Sequence, residues 1–125
     1  METRKEDYIK FKDGKIEAGL NLFRYDDNGC RVVYSPALEI MGYGRTDEEA
    51  DADFDFCVRE FFHSTTNNGT FEREMSRLGW IRKKTDETLT SPSLLDILPR
   101  NEVFRDIFNN FDFRKDNRSL SCSIA

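Results

Sequence analysis

Residues 20–50 read LNLFRYDDNGCRVVYSPALEIMGYGRTDEEA, a stretch that writes a hairpin, a crossing strand and a helix start in succession. Leu20, Leu22, Phe23 and Tyr25 make a strand of large apolar residues, Asp26-Asp27-Asn28-Gly29 supplies the turn, and Cys30 to Tyr34 returns with the β-branched pair Val32 and Val33. Gly29 takes the positive φ that so short a loop demands, while Asp26 and Asn28 have side chains suited to bonding their own backbone. Pro36 then bends the chain into a third strand expected over Ala37 to Tyr43, loosened at its end by Gly42 and Gly44. Thr46, followed three residues later by Glu49, has the spacing of a capping box, so a helix begins near Thr46. Asp47, Glu48 and Glu49 place negative charge in its first turn, where the helix dipole favours it.

Upstream, Tyr8, Ile9 and Phe11 before Asp13-Gly14 form a short strand hairpinned onto the one running from Lys15 to Tyr25. Downstream, Ala50, Phe54, Val58 and Phe61 or Phe62 recur at three- and four-residue spacing to about Ser64, which puts them on one helical face. Each large side chain buried there contributes about 1.5 to 3 kcal/mol, against about 0 to 1 for a surface ion pair, so packing holds this helix. The polar run Thr65-Thr66-Asn67-Asn68-Gly69 ends it. Thr70, Phe71, Met75 and Leu78 start a shorter helix, Gly79 stops that one, and Trp80, Ile81 and Arg82 form a last strand.

The order β-β-β-α-α-β predicts an α+β fold: an antiparallel sheet of three to four strands with one main helix packed on one face. Residues 1–84 form that domain, and residues 85–125 are a C-terminal appendage with a short helix and a terminal strand. Within it Pro99 breaks the apolar run Leu94, Leu95, Ile97 and Leu98, and Val103, Phe104, Ile107 and Phe108 repeat at helical spacing. Leu120, Cys122 and Ile124 alternate as in a strand, which needs a partner edge. Leu20 and Leu22 point to one side of the first core strand and Phe23 and Tyr25 to the other, so both sheet faces need cover. The second cover is either the appendage or a second copy of the chain, and symmetric dimers are the commonest soluble oligomers.

At 125 residues the chain suits one domain, and its eleven Phe supply much of the buried area. No apolar run approaches the roughly 20 residues of a membrane helix, and Met1 to Asp7 lacks a signal peptide's apolar stretch, so a cytoplasmic protein is expected. Cys30, Cys57 and Cys122 fit free thiols, and without a CxxC or a His cluster no metal and no cofactor is expected. His63, the one histidine, falls near the helix end, where a cation is favoured.

Tyr34, Ser35, Pro36, Ala37 and Leu38, then Gly42, Gly44, Thr46, Glu49 and Ala50, with Leu78-Gly79-Trp80 behind them, resemble the HicB-like antitoxin family over roughly residues 16–84. The resemblance implies a partial RNase H-like fold that has kept its shape without its chemistry, binds a toxin and commonly dimerises. It also implies a separate DNA-binding segment in fuller members. Here Arg100, Arg105, Arg114, Lys115 and Arg118 are interleaved with Asp96, Glu102, Asp106, Asp112 and Asp116, and the net charge is −5, so DNA binding is not expected.

Two-metal nuclease chemistry needs several carboxylates converging on ions roughly 3.5 to 4 Å apart. The central strand offers Asn21 and Arg24 in its middle, with Glu17 at its start, Glu39 on the third strand, and Asp26 and Asp27 in the turn. The helix is strongly acidic: Asp47, Glu48, Glu49, Asp51, Asp53, Asp55 and Glu60 are opposed by Arg59 alone. Such a face is either solvated or a docking surface for a basic protein, and in the second case Glu48, Asp51, Asp53 and Asp55 are the candidate partner-binding residues. The sequence therefore favours an antitoxin that occludes a small, basic, RNA-cleaving toxin. The alternatives are a dimeric HicB-like binding module without a toxin and, third, a divergent metal-dependent nuclease.

Overall fold

The computed structural model describes residues 6–123. Two tight hairpins open the chain: β1 (Tyr8–Lys12) turns through Asp13-Gly14 into β2 (Lys15–Asp27), which turns through Asn28-Gly29 into β3 (Cys30–Ser35). Both turn residues of each loop have positive φ, the handedness that matches strand twist. Asp26 accepts the Gly29 N–H at 2.8 Å and closes the second loop as its sequence suggests.

The third core strand begins later than Ala37. β4 covers Ile40–Gly44, and Pro36 to Glu39 form a turn in which Ser35 Oγ accepts the Leu38 N–H at 3.2 Å and Glu39 sits at φ 57°. Ala37 and Leu38 are buried although they lie in a turn, which is why their apolar character resembles a strand. The Ala37 carbonyl accepts the indole N–H of buried Trp80 at 2.9 Å, tying this turn to the segment behind the second helix.

α1 (Asp47–Asn67) starts at the expected cap: Thr46 Oγ1 accepts the Glu49 N–H at 3.1 Å, and the Glu49 carboxylate reaches back to the N–H of Arg45 at 2.9 Å. Ala50, Phe54, Val58 and Phe62 are its buried apolar residues, and Phe61 lies only partly covered. The helix runs past Ser64 to Asn67, with buried Thr65 returning its hydroxyl to the Phe61 carbonyl at 2.8 Å, and it stops at Asn68-Gly69. Gly42 and Gly44 bring β4 against this helix. A Cβ on Gly42 would stand 2.6 Å from the Phe54 nitrogen, and one on Gly44 would strike Ala50, so only glycine allows the approach.

α2 (Phe71–Arg77), β5 (Ile81–Arg82), β6 (Leu89–Thr90), α3 (Leu94–Ile97), a 3-10 turn (Leu98–Arg100), α4 (Glu102–Asn110) and β7 (Arg114–Ser123) complete the chain. The architecture is α+β, with an antiparallel sheet of seven strands, wider than three or four because β1, β6 and β7 all join it. β2 carries three partners. Gly19 pairs with Tyr8 of β1 and Ser119 of β7, and Phe23 pairs with Tyr34 of β3 and Lys115 of β7. β7 therefore runs along one edge of β2 from Lys15 to Arg24, while β1 and β3 share the other edge and leave Leu20 to Leu22 between them.

Ile16, Ala18, Leu20 and Leu22 share the face of Arg24, which meets Asp51 of α1 at 2.8 Å. On the opposite face, the Phe23 ring lies 4.8 Å from Phe104 of α4 and 5.3 Å from Phe113, and Tyr25 lies 4.5 Å from Phe111. The second face is thus covered around Phe23 by the chain's own α4. Asn101 sets that helix in place: its Oδ1 caps Phe104 N–H at 2.9 Å and its amide donates to the Tyr34 hydroxyl at 2.9 Å. Phe104→Ala should lower unfolding free energy by about 3 to 5 kcal/mol in urea titrations, the cost of emptying a buried aromatic site.

Candidate functional site

The candidate surface is the acidic side of α1. An α-helix advances about 6 Å in four residues and a strand about 6.8 Å in two, so the i+4 series Asp47, Asp51, Asp55 keeps step with alternate residues of β7. Arg118 of β7 grips Asp55 with two hydrogen bonds, Nε to Oδ1 at 2.8 Å and Nη2 to Oδ2 at 2.6 Å, and its Nη1 lies 3.7 Å from Asp51. Arg24 bridges Asp51 and Asp116, the latter at 3.1 Å, and Arg114 stands 3.5 Å from Asp47. At the far end His63 Nε2 lies 2.8 Å from the Ser123 carbonyl oxygen. His63 is thus a link between helix and strand, one turn before the helix ends.

These contacts sort the four expected partner-binding residues. Asp51 and Asp55 face the chain's own arginines. Asp53 uses one oxygen to accept the Tyr43 N–H of β4 at 2.9 Å. Glu48 is exposed, as are Ala52, Phe56, Arg59 and Glu60 on the outer side of the helix. Phe56 is 59 % exposed, and Tyr43, next to Asp53, is 53 % exposed. The sequence pattern names the acids but not their arginines, because the pairing of Asp55 with Arg118 spans 63 residues.

The carboxylates considered for metal chemistry stay apart. Glu17 lies on β2 opposite Lys10, Glu39 belongs to the turn before β4 and stands 3.6 Å from Arg77, and Asp26 closes its hairpin. Among the described residues no three His, Cys, Asp or Glu side chains form a group that could hold a metal ion. All three cysteines are free thiols, and burial pushes Cys57 and Cys122 above the ordinary thiol range, the reverse of what activates a nucleophile.

One perturbed acid has no signature in the sequence. Asp7 precedes β1, is 2 % exposed, and fills the gap between β1 and β3: its Oδ1 accepts the Asn21 backbone N–H at 3.2 Å and the Asn21 amide at 2.7 Å. Its own N–H donates to Ser91 Oγ at 2.9 Å, and its carbonyl accepts the Ser91 N–H at 3.0 Å. Oδ2 is buried with no hydrogen-bond partner among the described residues. Burial pushes the Asp7 carboxyl up to about 7, with the bonds from Asn21 and the charge of Lys115 opposing the rise. Asp7 is a structural plug for the forked edge of β2, and its position in the charged run Glu6-Asp7 gives no sequence signal of burial.

Because its folded value lies above the ordinary 3.8, protonated Asp7 supports the fold fully below about pH 3.8, and that support is lost as pH rises to about 7. Asp7→Asn should therefore be more stable than the parent at pH 8, with the difference shrinking toward pH 4 in paired thermal melts. Asp55→Asn should cost about 1 to 3 kcal/mol, and a double-mutant cycle with Arg118→Gln should show most of that as coupling.

Set against known protein families, curated proteins and solved structures, the chain matches none of them.

Proposed function

We propose that this chain acts by non-covalent binding, as an antitoxin-like protein that captures a small, basic, RNA-cleaving toxin and covers its RNA-binding surface. The reading rests on the HicB-like resemblance of the segment from Tyr34 to Ala50. Its structural residues have concrete tasks here: Ser35 and Pro36 make the turn, Leu38 is buried in it, Gly42 and Gly44 admit the helix, and Thr46 and Glu49 cap it.

The observation that carries the proposal is the outer side of α1. Phe56 stands 59 % exposed, with Asp53, Arg59 and Glu60 one turn away on the helix and Glu48 exposed nearer its start. An exposed aromatic ring on a helix face where carboxylates outnumber the single cation Arg59 suits the centre of an interface whose partner is basic: the charges steer the encounter and the ring anchors it. A toxin that grips RNA must present such a basic surface. Glu48 and Asp53 keep their candidate role, whereas Asp51 and Asp55 support it from behind by fixing the helix to β7. The reading also supposes a cytoplasmic protein, and among the described residues no helix is long and apolar enough to cross a membrane.

The test is capture from the native host with the full chain, followed by an RNA-cleavage assay on the small basic protein retained. Stoichiometric suppression of cleavage is the expected result, and Phe56→Ala should weaken capture by about tenfold or more while leaving the melting temperature unchanged. Failure to retain any ribonuclease, or equal inhibition by Phe56→Ala, would remove this surface from the mechanism.

A further inference from the structure

We propose that the free edge of β7 pairs antiparallel with the same edge of a second copy, joining two seven-stranded sheets across a twofold axis. This goes beyond the toxin reading and does not depend on it. A two-residue hairpin closes on a hydrogen-bonded pair, so Lys12 with Lys15 and Asp27 with Cys30 assign the odd-numbered residues of β2 to β1 and β3. The even-numbered residues from Ile16 to Arg24 then bond β7, through Arg114, Asp116, Arg118, Leu120 and Cys122. Lys115, Asn117, Ser119 and Ser121 consequently turn their N–H and C=O groups outward. The Asn117 N–H behaves accordingly: it donates to the neighbouring Asp116 carboxylate, at 2.8 Å.

From Asn117 onward this edge lacks most of the usual protection. β7 is ten residues long, contains no proline, and among the described residues no strand pairs with its outer side. By contrast, β5 is two residues long, and at β4 the carboxylate of Asp53 occupies the Tyr43 N–H. Of the outward positions, Lys115 carries the kind of charge that guards an edge, whereas Asn117, Ser119 and Ser121 carry small polar side chains that leave the backbone accessible.

The edge also complements itself. Antiparallel pairing centred on Asn117 sets Asp116 opposite Arg118 of the second copy, Lys115 opposite Ser119, and Arg114 opposite Leu120, so that no like charges meet directly. Asp116 and Arg118 already lie on the α1 side of the sheet, where Arg24, Asp51 and Asp55 continue the alternation of charge. A twofold arrangement uses each such contact twice, which is what an isologous interface requires. The earlier motive for a dimer, an uncovered second face, does not apply around Phe23, because α4 covers it there.

Ser119→Pro tests the interface in the full-length protein, since it deletes an outward N–H and leaves the bonds to β2 intact. Light scattering over a concentration series should give a dimer for the parent and about a tenfold or larger rise in dissociation constant for Ser119→Pro, with the melt of the dilute protein unchanged. A parent that stays monomeric at every concentration, or a Ser119→Pro protein that dimerises equally well, overturns the proposal. Should the variant fail to fold, amide exchange on the parent decides: Asn117, Ser119 and Ser121 must gain protection as concentration rises, and concentration-independent exchange overturns the proposal.

Discussion

The fold depends on the engagement of β2 along both of its edges. β7 occupies one, β1 and β3 divide the other, and each face of the strand is covered by a different helix near its middle. A one-residue slip would exchange Leu20 and Leu22 for Asn21 and Phe23 against α1, so the register is specified from both sides at once. At the point where β1 hands over to β3, Asp7 accepts the Asn21 N–H. A carboxyl is a costly plug for such a site unless it keeps its proton, which is the direction in which burial drives it.

Charge in this protein is mostly turned inward on the β7 side of α1. Arg118 and Asp55 are partly buried and form two hydrogen bonds, a geometry stronger than the exposed pairs elsewhere, such as Arg31 with Asp26 at 3.8 Å. The net charge of −5 is therefore concentrated on what remains outside, including Glu48, Glu49 and Glu60. Packing still dominates, since the residues under α1 include Phe54, Val58 and Phe62 at no more than 1 % exposure.

Local features were legible because their causes are local. The hairpin at Asp26 to Gly29, the cap at Thr46 and the apolar face of α1 each follow from residues within a few positions of one another. The third core strand starts later than its sequence suggests because Ala37 and Leu38 are apolar for a tertiary reason, the docking of Trp80 on their turn. β6 is only two residues long and has no period to read, and the first half of β7, RKDN, looks like a solvated tail. At the candidate site the acids were visible and their neutralisation was not: Asp51 and Asp55 resemble free docking charges until the arginines of distant strands are brought to them. Phe56 was hidden in turn by the apolar residues around it, since only the helix's rotation on the sheet separates it from Phe54.

Arg24 and Asp116, joined across β2 and β7, are 92 residues apart in the chain. During synthesis β2 leaves the ribosome long before the strand that completes it, and its edge from Lys15 to Arg24 spends that interval without a partner. Loop closure over so long a span is slow compared with forming either hairpin, so the nascent chain passes through a state with a sticky, half-finished sheet. Crowded polysomes would offer that sheet the wrong β7, one belonging to a neighbouring chain, and exchange of this strand between molecules is the misassembly such a long-range pairing invites.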